Sequence, residues 1–383
     1  MWVYVLIIGI SIGLYFVHGD RQRMNPWLMG GCMLALALFV GLSDMLGGYD
    51  RYIYAELFDG MADIVQRKGN IYNATIYVLY EKEFGYGVLN QVIALFTANR
   101  YIFILIFTLI IYSLVFISIM KYTNRSPLVI VLFLGLWFFF TFTYLRQVLA
   151  ASIAWLAIQY AIDRKPIQFF AIVFVAFSIH NSAIMFAPVY FLPMKKFNVG
   201  AVLAVMGICL VIGTTDIAGT LFEQYGEVTE QEQRMAQNMR EAAGGFRIEY
   251  LLEAVVFLVF IFWKYNDINE ENKTQVMMCN LAFVFCAVLL LFIRNENGGR
   301  LSWFFMMGLF SILSFLATKH KGISVYGMAL AGMCAILFMR IVITWGILVA
   351  PYKTFLTPGH RDGDVIYEQY EYDHKYDHDK FYR

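Results

Sequence analysis

Long apolar runs separated by short polar stretches repeat along almost the whole chain. A membrane-crossing helix needs roughly 20 apolar residues, and fewer where it packs inside a bundle. The pattern predicts spans near residues 2–18, 27–46, 101–120, 127–144, 145–162, 166–180, 182–194, 199–215, 248–264, 275–293, 301–317 and 323–349, about twelve in all. In lipid each spanning backbone must satisfy its own hydrogen bonds, so such runs are helices and not open sheets. The run 182–194 is short and can also be read as re-entrant, which would reverse the side of everything after it.

Basic residues in short loops set the orientation. Arg21 and Arg23, Lys121 and Arg125, Arg164 and Lys165, Lys195 and Lys196, Lys264 and Lys273, and Lys319 and Lys321 follow alternate spans. They therefore mark one side as cytoplasmic, with the amino terminus outside and 182–194 counted as a crossing. The long segments 47–100 and 216–247 then face outward. In the first, Ile53, Leu57, Met61 and Ile64 recur at helical spacing and Gly69 is placed to end the helix. A second short helix fits 87–98. In the second, Thr229 and Glu232 form a capping-box pattern, with Gly244-Gly245 as a stop. These read as amphipathic helices at the outer interface. No internal repeat and no separate soluble domain is visible. The chain divides into a polytopic region, 1–350, and a polar tail, 351–383, rich in Tyr, Asp and His and read as disordered. His374 and His378 in that tail suit a solvated surface far better than a metal site.

Composition narrows the class without changing the picture. Hydrophobic residues make up 60% of the 383 and charged residues 15%, which excludes an ordinary soluble chain. A net charge of +1 gives no case for nucleic acid. The five cysteines all fall in apolar runs and read as small hydrophobes, not as disulfides or zinc ligands. Residues 2–17 lack a basic leading segment and a small-residue cleavage site, so they read as a retained first span.

The candidate chemistry lies where polar residues sit at or within apolar runs, since these are costly in a membrane. Asp44 and Asp50 lie at the outer end of the second span. Arg146 starts the span 145–162, and His180, followed by Asn181 and Ser182, ends 166–180. Arg247 precedes the 248–264 helix, Arg294, Glu296 and Arg300 occupy one outer turn, and Arg340 lies in the outer half of the last span. Charge statistics predict few arginines on that side. The guanidinium is a planar fork suited to phosphate oxygens, and such a cluster fits a diphosphate lipid head group. The plainer reading is pairing with a neighbouring carboxylate or snorkelling to the interface. It stands level with function for Arg51, Arg247 and Arg294, and below it for Arg146, Arg300 and Arg340, which have apolar flanks. His180 can serve as a base for a sugar hydroxyl or simply be a satisfied histidine at a helix end. Asp50 is the second base candidate, or an N-cap of the helix 51–66. Tyr49, Tyr52 and Tyr54 can stack on sugar rings or form an interfacial aromatic belt. The chain has no Walker-type loop, no HExxH and no Asp-x-Asp pair in an outer loop. A reaction here would run on positioned arginines and one base, with no metal and no cofactor.

Five segments together resemble the EpsG family of membrane polysaccharide polymerases, related to Wzy-type polymerases of O-antigen, capsule and exopolysaccharide. They are GGYDRYIYAELF (47–58), EFGYGVLNQVIALF (83–96), YLRQVLAASIAWLA (144–157), FVAFSIHNSAIMFAPVYFL (174–192) and APYKTF (350–355). The resemblance implies a metal-independent glycosyltransferase at the outer face of a bacterial cytoplasmic membrane. It would polymerise oligosaccharide units carried on undecaprenyl diphosphate, working beside a flippase and a chain-length regulator. Arg146 and Arg300 would hold the diphosphate and stabilise its developing charge. His180 would be the base or orient the hydroxyl, and Asp50 would be catalytic or bind sugar. Arg247, Arg340, Asn181 and Tyr54 complete the substrate-binding set. An O-antigen-ligase-like transferase, and a flippase with arginines lining its passage, are the alternatives. A transporter would show polar residues through the midplane and matching broken helices, and neither is visible.

Overall fold

The computed structural model describes residues 1–20, 23–45, 49–215, 217, 245–295, 298–318, 322–357, 373 and 375–383. Among them the protein is all-helical, apart from one isolated bridge between Ser43 and Thr354. In chain order the helices are α1 (Trp2–His18), α2 (Pro26–Gly41), α3 (Tyr49–Gln66), α4 (Thr75–Leu79), α5 (Phe84–Ala94), α6 (Arg100–Tyr122), α7 (Leu128–Leu136), α8 (Phe140–Thr143), α9 (Leu145–Ile162), α10 (Pro166–Ile179) and α11 (Val199–Thr214). They continue with α12 (Ile248–Trp263), α13 (Lys273–Leu291), α14 (Gly298–Ser302), α15 (Met306–Ala317), α16 (Val325–Trp345) and α17 (Lys375–His378).

Five helical stretches are long and apolar enough to cross a membrane: Arg100–Tyr122, Leu145–Ile162, Lys273–Leu291, Gly298–Ala317 and Val325–Trp345. Four more, α1, α2, α10 and α11, are apolar but shorter. This is an all-α membrane protein. Its helix lengths alone do not reach the twelve spans read from hydropathy.

The difference lies in identifiable breaks. The run 127–144 is not one helix: α7 stops before Trp137, and α8 is a single turn after the aromatic run Trp137-Phe138-Phe139. Gly135 presses directly on α16, where an added Cβ would lie 2.6 Å from Cys334 Cβ and 2.7 Å from its Cα. The run 182–194 forms a 3-10 helix over Asn181–Phe191. Pro188 has no N–H and resists an α-helix interior. Ala183, Phe186 and Val189 are buried at three-residue intervals, the period of a 3-10 helix.

The centre of the bundle is α7, α9, α13 and α15, whose side chains are mostly buried. Around them α10 packs on α9, α11 and α12 on α13, α16 on α7, and α2 on α6. α3 packs against α5 and α6. It starts at Tyr49, so Asp50 lies inside its first turn and is not its cap. There the carboxylate complements the positive end of the helix dipole. Arg51, Tyr52, Tyr54, Ala55, Leu57, Phe58, Asp59, Met61 and Ala62 are all buried, so α3 is covered on most of its circumference. A one-faced amphipathic helix would be covered on one side only. Its end is turned by Lys68, at φ 53°, which lets Gly69 N–H return to Ile64 O at 2.9 Å. The helix placed at 87–98 is α5, Phe84–Ala94. The capping-box pattern of Thr229 and Glu232 lies outside the described residues, as do Gly244, Glu296, Lys319, Lys321 and His374.

The last nine residues depart from the expected disorder. Tyr376 and Lys380 are buried. The Lys380 ammonium sits 3.6 Å from Asp44, and its carbonyl accepts from Asn99 Nδ2 at 2.6 Å. Arg383 reaches Asp63 at 3.1 Å and Asp59 at 3.6 Å, beside the Arg100–Asp59 pair. The tail's cations thus find carboxylates just after α2 and along α3, a partnership its composition does not show.

Candidate functional site

The start of α9 carries the polar constellation. The backbone breaks at Tyr144, at φ −93° and ψ 50°, and α9 begins at the next residue with Arg146 in its first turn. The Arg146 guanidinium is bonded to the Glu83 carboxylate through Nη1 and Oε2, and both side chains are buried. It lies 3.9 Å from the Tyr80 ring centre, 5.3 Å from Tyr86 and 5.5 Å from Tyr54. Three aromatic faces and one carboxylate therefore enclose the cation, a strongly favourable setting away from water. Burial, reinforced by the Asp50 charge, holds the Tyr54 phenol well above its usual range, so the ring stays neutral.

Glu83 is the hub. It sits at the turn before α5, and its other oxygen, Oε1, accepts the Asn181 backbone N–H at 2.9 Å. The same oxygen lies 3.8 Å from His180 Nδ1. Gly85 permits this approach: a Cβ there would collide with the Ser178 side chain and lie 3.0 Å from its carbonyl oxygen, at the end of α10. His180 follows α10 in extended conformation, at φ −151° and ψ 120°. Ser182 N–H reaches its Nδ1 at 3.2 Å, and Ser182 Oγ lies 2.6 Å from the same nitrogen.

A second cluster gathers on Tyr144, two residues before Arg146. Arg300, in α14, donates to Tyr144 Oη at 2.9 Å and stacks on that ring at 4.0 Å. Gln147 Nε2 donates to the Arg300 carbonyl at 2.9 Å, tying α14 to α9. The Arg300 charge is also felt at His180, so the two clusters are electrostatic neighbours. Beside Arg300 opens a cavity of about 620 Å3 between α12 and α16, backed by α7, α13 and α15. Arg247, Arg300 and Arg340 line it together with Glu249 and Glu253. Its remaining wall is mostly apolar, including Leu136, Val256, Phe257, Leu289, Met333, Leu337 and Trp303. Polar and charged groups with a long apolar wall make this an amphipathic cavity, and three forked cations suit an anionic head.

The residues singled out in the sequence thus divide. Arg146, His180, Asn181 and Tyr54 meet around Glu83, and Asp50 lies close enough for its charge to reach Tyr54. Arg247, Arg300 and Arg340 meet in the cavity. Arg146 differs from the expectation of an open anion receptor. Its Nη1 is paired with the Glu83 carboxylate and rings enclose the guanidinium, while Nε is buried without a hydrogen-bond partner. Arg51 is buried and donates to the Val40 and Ser43 carbonyls at 3.1 and 3.0 Å, fastening α3 to the end of α2. Arg294 donates to Thr214 O at 3.3 Å. Glu83 was missed, because it sits in a polar EKE turn that resembles any loop. Its signal was the flanking Tyr80 and Tyr86 and the demand of a buried Arg146 for a counter-charge. Among the described residues no group of three or more His, Cys, Asp or Glu side chains converges to hold a metal ion.

No curated protein and no solved structure matches this chain. A family model described as the EpsG family matches it over residues 28–354.

Proposed function

This chain belongs to the EpsG family, a Wzy-like polymerase family, and from that premise we propose that it polymerises oligosaccharide repeat units carried on undecaprenyl diphosphate. The proposal places the work at the outer face of a bacterial cytoplasmic membrane, with about twelve crossings, a flippase supplying the units and a chain-length regulator beside it. The donor is the growing chain on its lipid diphosphate. A hydroxyl of the incoming lipid-linked unit attacks the anomeric carbon of the donor. The bond from that carbon to the diphosphate oxygen breaks, and its electron pair leaves with the lipid diphosphate. The hydroxyl's proton passes to a base, for which His180 and Asp50 are the candidates.

The observation that carries this reading is the cavity shared by Arg247, Arg300 and Arg340. Its arginines suit a diphosphate, and its apolar wall suits the first isoprene units. Cations fixed in place where charge develops lower the barrier without reorganising during the reaction. Arg300, stacked on Tyr144 and facing His180 electrostatically, joins the phosphate end to the sugar end. No metal is assigned a role in this scheme.

The experiment is complementation of a deletion strain with Arg300→Gln and His180→Ala, each verified in the membrane. Both should yield surface glycan with single repeat units in place of long polymer. Long chains from both variants would remove the site from the reaction. Lipid-linked units retained on the cytoplasmic leaflet would identify a transporter instead.

A further inference from the structure

Neither the family match nor the polymerase reading says which proton His180 carries. The hydrogen bonds decide it. A backbone N–H can only donate, so the 3.2 Å contact from Ser182 N–H makes His180 Nδ1 an acceptor. Nδ1 then bears no proton. The imidazole is neutral, its single proton is on Nε2, and the Ser182 hydroxyl at 2.6 Å donates to Nδ1 as well. The side chain is 19% exposed, so a bound molecule can reach the ring.

What holds this arrangement is the hub beneath it. Asn181 N–H is fastened to Glu83 Oε1 at 2.9 Å, and Glu83 is fixed in turn by Arg146 inside its tyrosine cage. Asn181 lies between the histidine and the serine that fixes its tautomer. The carboxylate therefore sets the backbone turn that aims Ser182 N–H at Nδ1. The charged groups around His180 are Glu83 from the α5 side, Arg146 from α9 and Arg300 from α14.

We propose that His180 acts on the substrate as a hydrogen-bond donor through Nε2–H, not as the base, and that Glu83 is the positioning residue that locks it in that state. The proposal rests on the reading of this cluster as the sugar end of a polymerase site. The donor edge holds an oxygen of the sugar or of the diphosphate. The proton of the attacking hydroxyl passes to the Asp50 carboxylate, the remaining candidate, while the bond from the anomeric carbon to the diphosphate breaks with its electron pair on the leaving group.

The test compares replacements that separate donating from accepting. It uses the full-length protein reconstituted with lipid-linked repeat units extracted from the parent strain. A glutamine amide places an N–H near the position of Nε2 but has no basic nitrogen at neutral pH. His180→Gln should therefore keep kcat within about tenfold of the parent, whereas His180→Ala should lose at least about a hundredfold, the range for removing a positioned hydrogen-bond donor. Equal loss in both, with both proteins monodisperse, would overturn the donor role. If His180→Ala polymerises like the parent, the failure belongs to the site reading and not to the tautomer.

The positioning role has its own arm. Asn181→Pro deletes the N–H that Glu83 accepts, and it does so at the first position of a helix, where proline is tolerated. His180, at φ −151° and ψ 120°, already has the conformation that a residue before proline adopts. Asn181→Pro should lower kcat about tenfold below Asn181→Ala, with KM for the lipid-linked unit within about threefold, the split expected for a lost transition-state contact. The double variant Glu83→Gln/Arg146→Gln keeps a neutral acceptor with no stranded charge, and should fold but lower kcat relative to the parent. Proline and alanine behaving alike at 181, or parental kcat in the double variant, would reduce Glu83 to a purely structural part.

Discussion

Replacing Arg340 by glutamine separates anion binding from stability more cleanly than any other change in the cavity. Among the described residues its guanidinium makes no hydrogen bond or ion pair, and the Glu253 carboxylate is the charge it acts on. Little folding energy is therefore lost with it, and melting in detergent should shift by less than the equivalent of about 0.5 kcal/mol. A charge-assisted bond to phosphate contributes about 1.5–3 kcal/mol, so losing it should weaken binding of undecaprenyl diphosphate by roughly 10- to 150-fold. Arg300 offers the internal contrast. Its substitution by glutamine removes the same class of contact and also the Tyr144 hydrogen bond at 2.9 Å and stacking at 4.0 Å. It should cost about 1–3 kcal/mol of stability in addition to affinity. The assay is titration of purified protein with undecaprenyl diphosphate, with undecaprenol as the uncharged control, beside thermal unfolding of the same samples. Binding by Arg340→Gln within about threefold of the parent, or equal loss for the uncharged lipid, would refute a diphosphate site built on this arginine.

Three further outcomes follow from the geometry. Tyr144→Phe keeps the ring under Arg300 and removes only the hydroxyl that anchors its guanidinium, so affinity for undecaprenyl diphosphate should fall about fivefold, about 1 kcal/mol, in the same titration. Lys380→Ala removes the ammonium beside the buried Asp44 carboxylate, which keeps the Met45 N–H and the Arg51 charge, and should destabilise the protein by about 1–3 kcal/mol in a thermal melt. Gly135→Ala drives a methyl against the Cys334 backbone of α16, so it should cost about 1–3 kcal/mol, read as a lower melting temperature.

Hydropathy was enough to identify a helical membrane protein, because transfer to lipid acts on every residue of a span and sums over about 20 of them. It also brought Arg146 and His180 to one level before any coordinates, and the shared carboxylate of Glu83 joins them. It could not identify that carboxylate. One half of the pair lies in an apolar run where a charge stands out, and the other lies in a polar turn where it does not. The break after α7 was hidden for a related reason: Trp137, Phe138 and Phe139 are as apolar as any helix and are buried, so burial persists where helical geometry stops. The tail was read from its polarity alone. Polarity excludes a core but not docking, and Lys380 and Arg383 dock on Asp44, Asp59 and Asp63, which lie after α2 and along α3, far away in sequence.

The 3-10 helix Asn181–Phe191 is fastened at both ends. Glu83 holds Asn181 N–H at one end. At the other, Arg164 donates to the Tyr190 and Leu192 carbonyls, and Asn280 to those of Pro193 and Lys195. With about 2.0 Å rise and three residues per turn, its eleven residues reach about 22 Å, where an α-helix would reach about 16 Å. Its length is therefore a fixed quantity. Deleting or inserting one residue would rotate everything beyond it by about 120° and move it by about 2 Å, carrying Ala183, Phe186 and Val189 off the buried stripe while both clamps hold still. Relatives of this chain should hardly vary in the number of residues between His180 and Pro193, a pattern that counting gaps across the family would show.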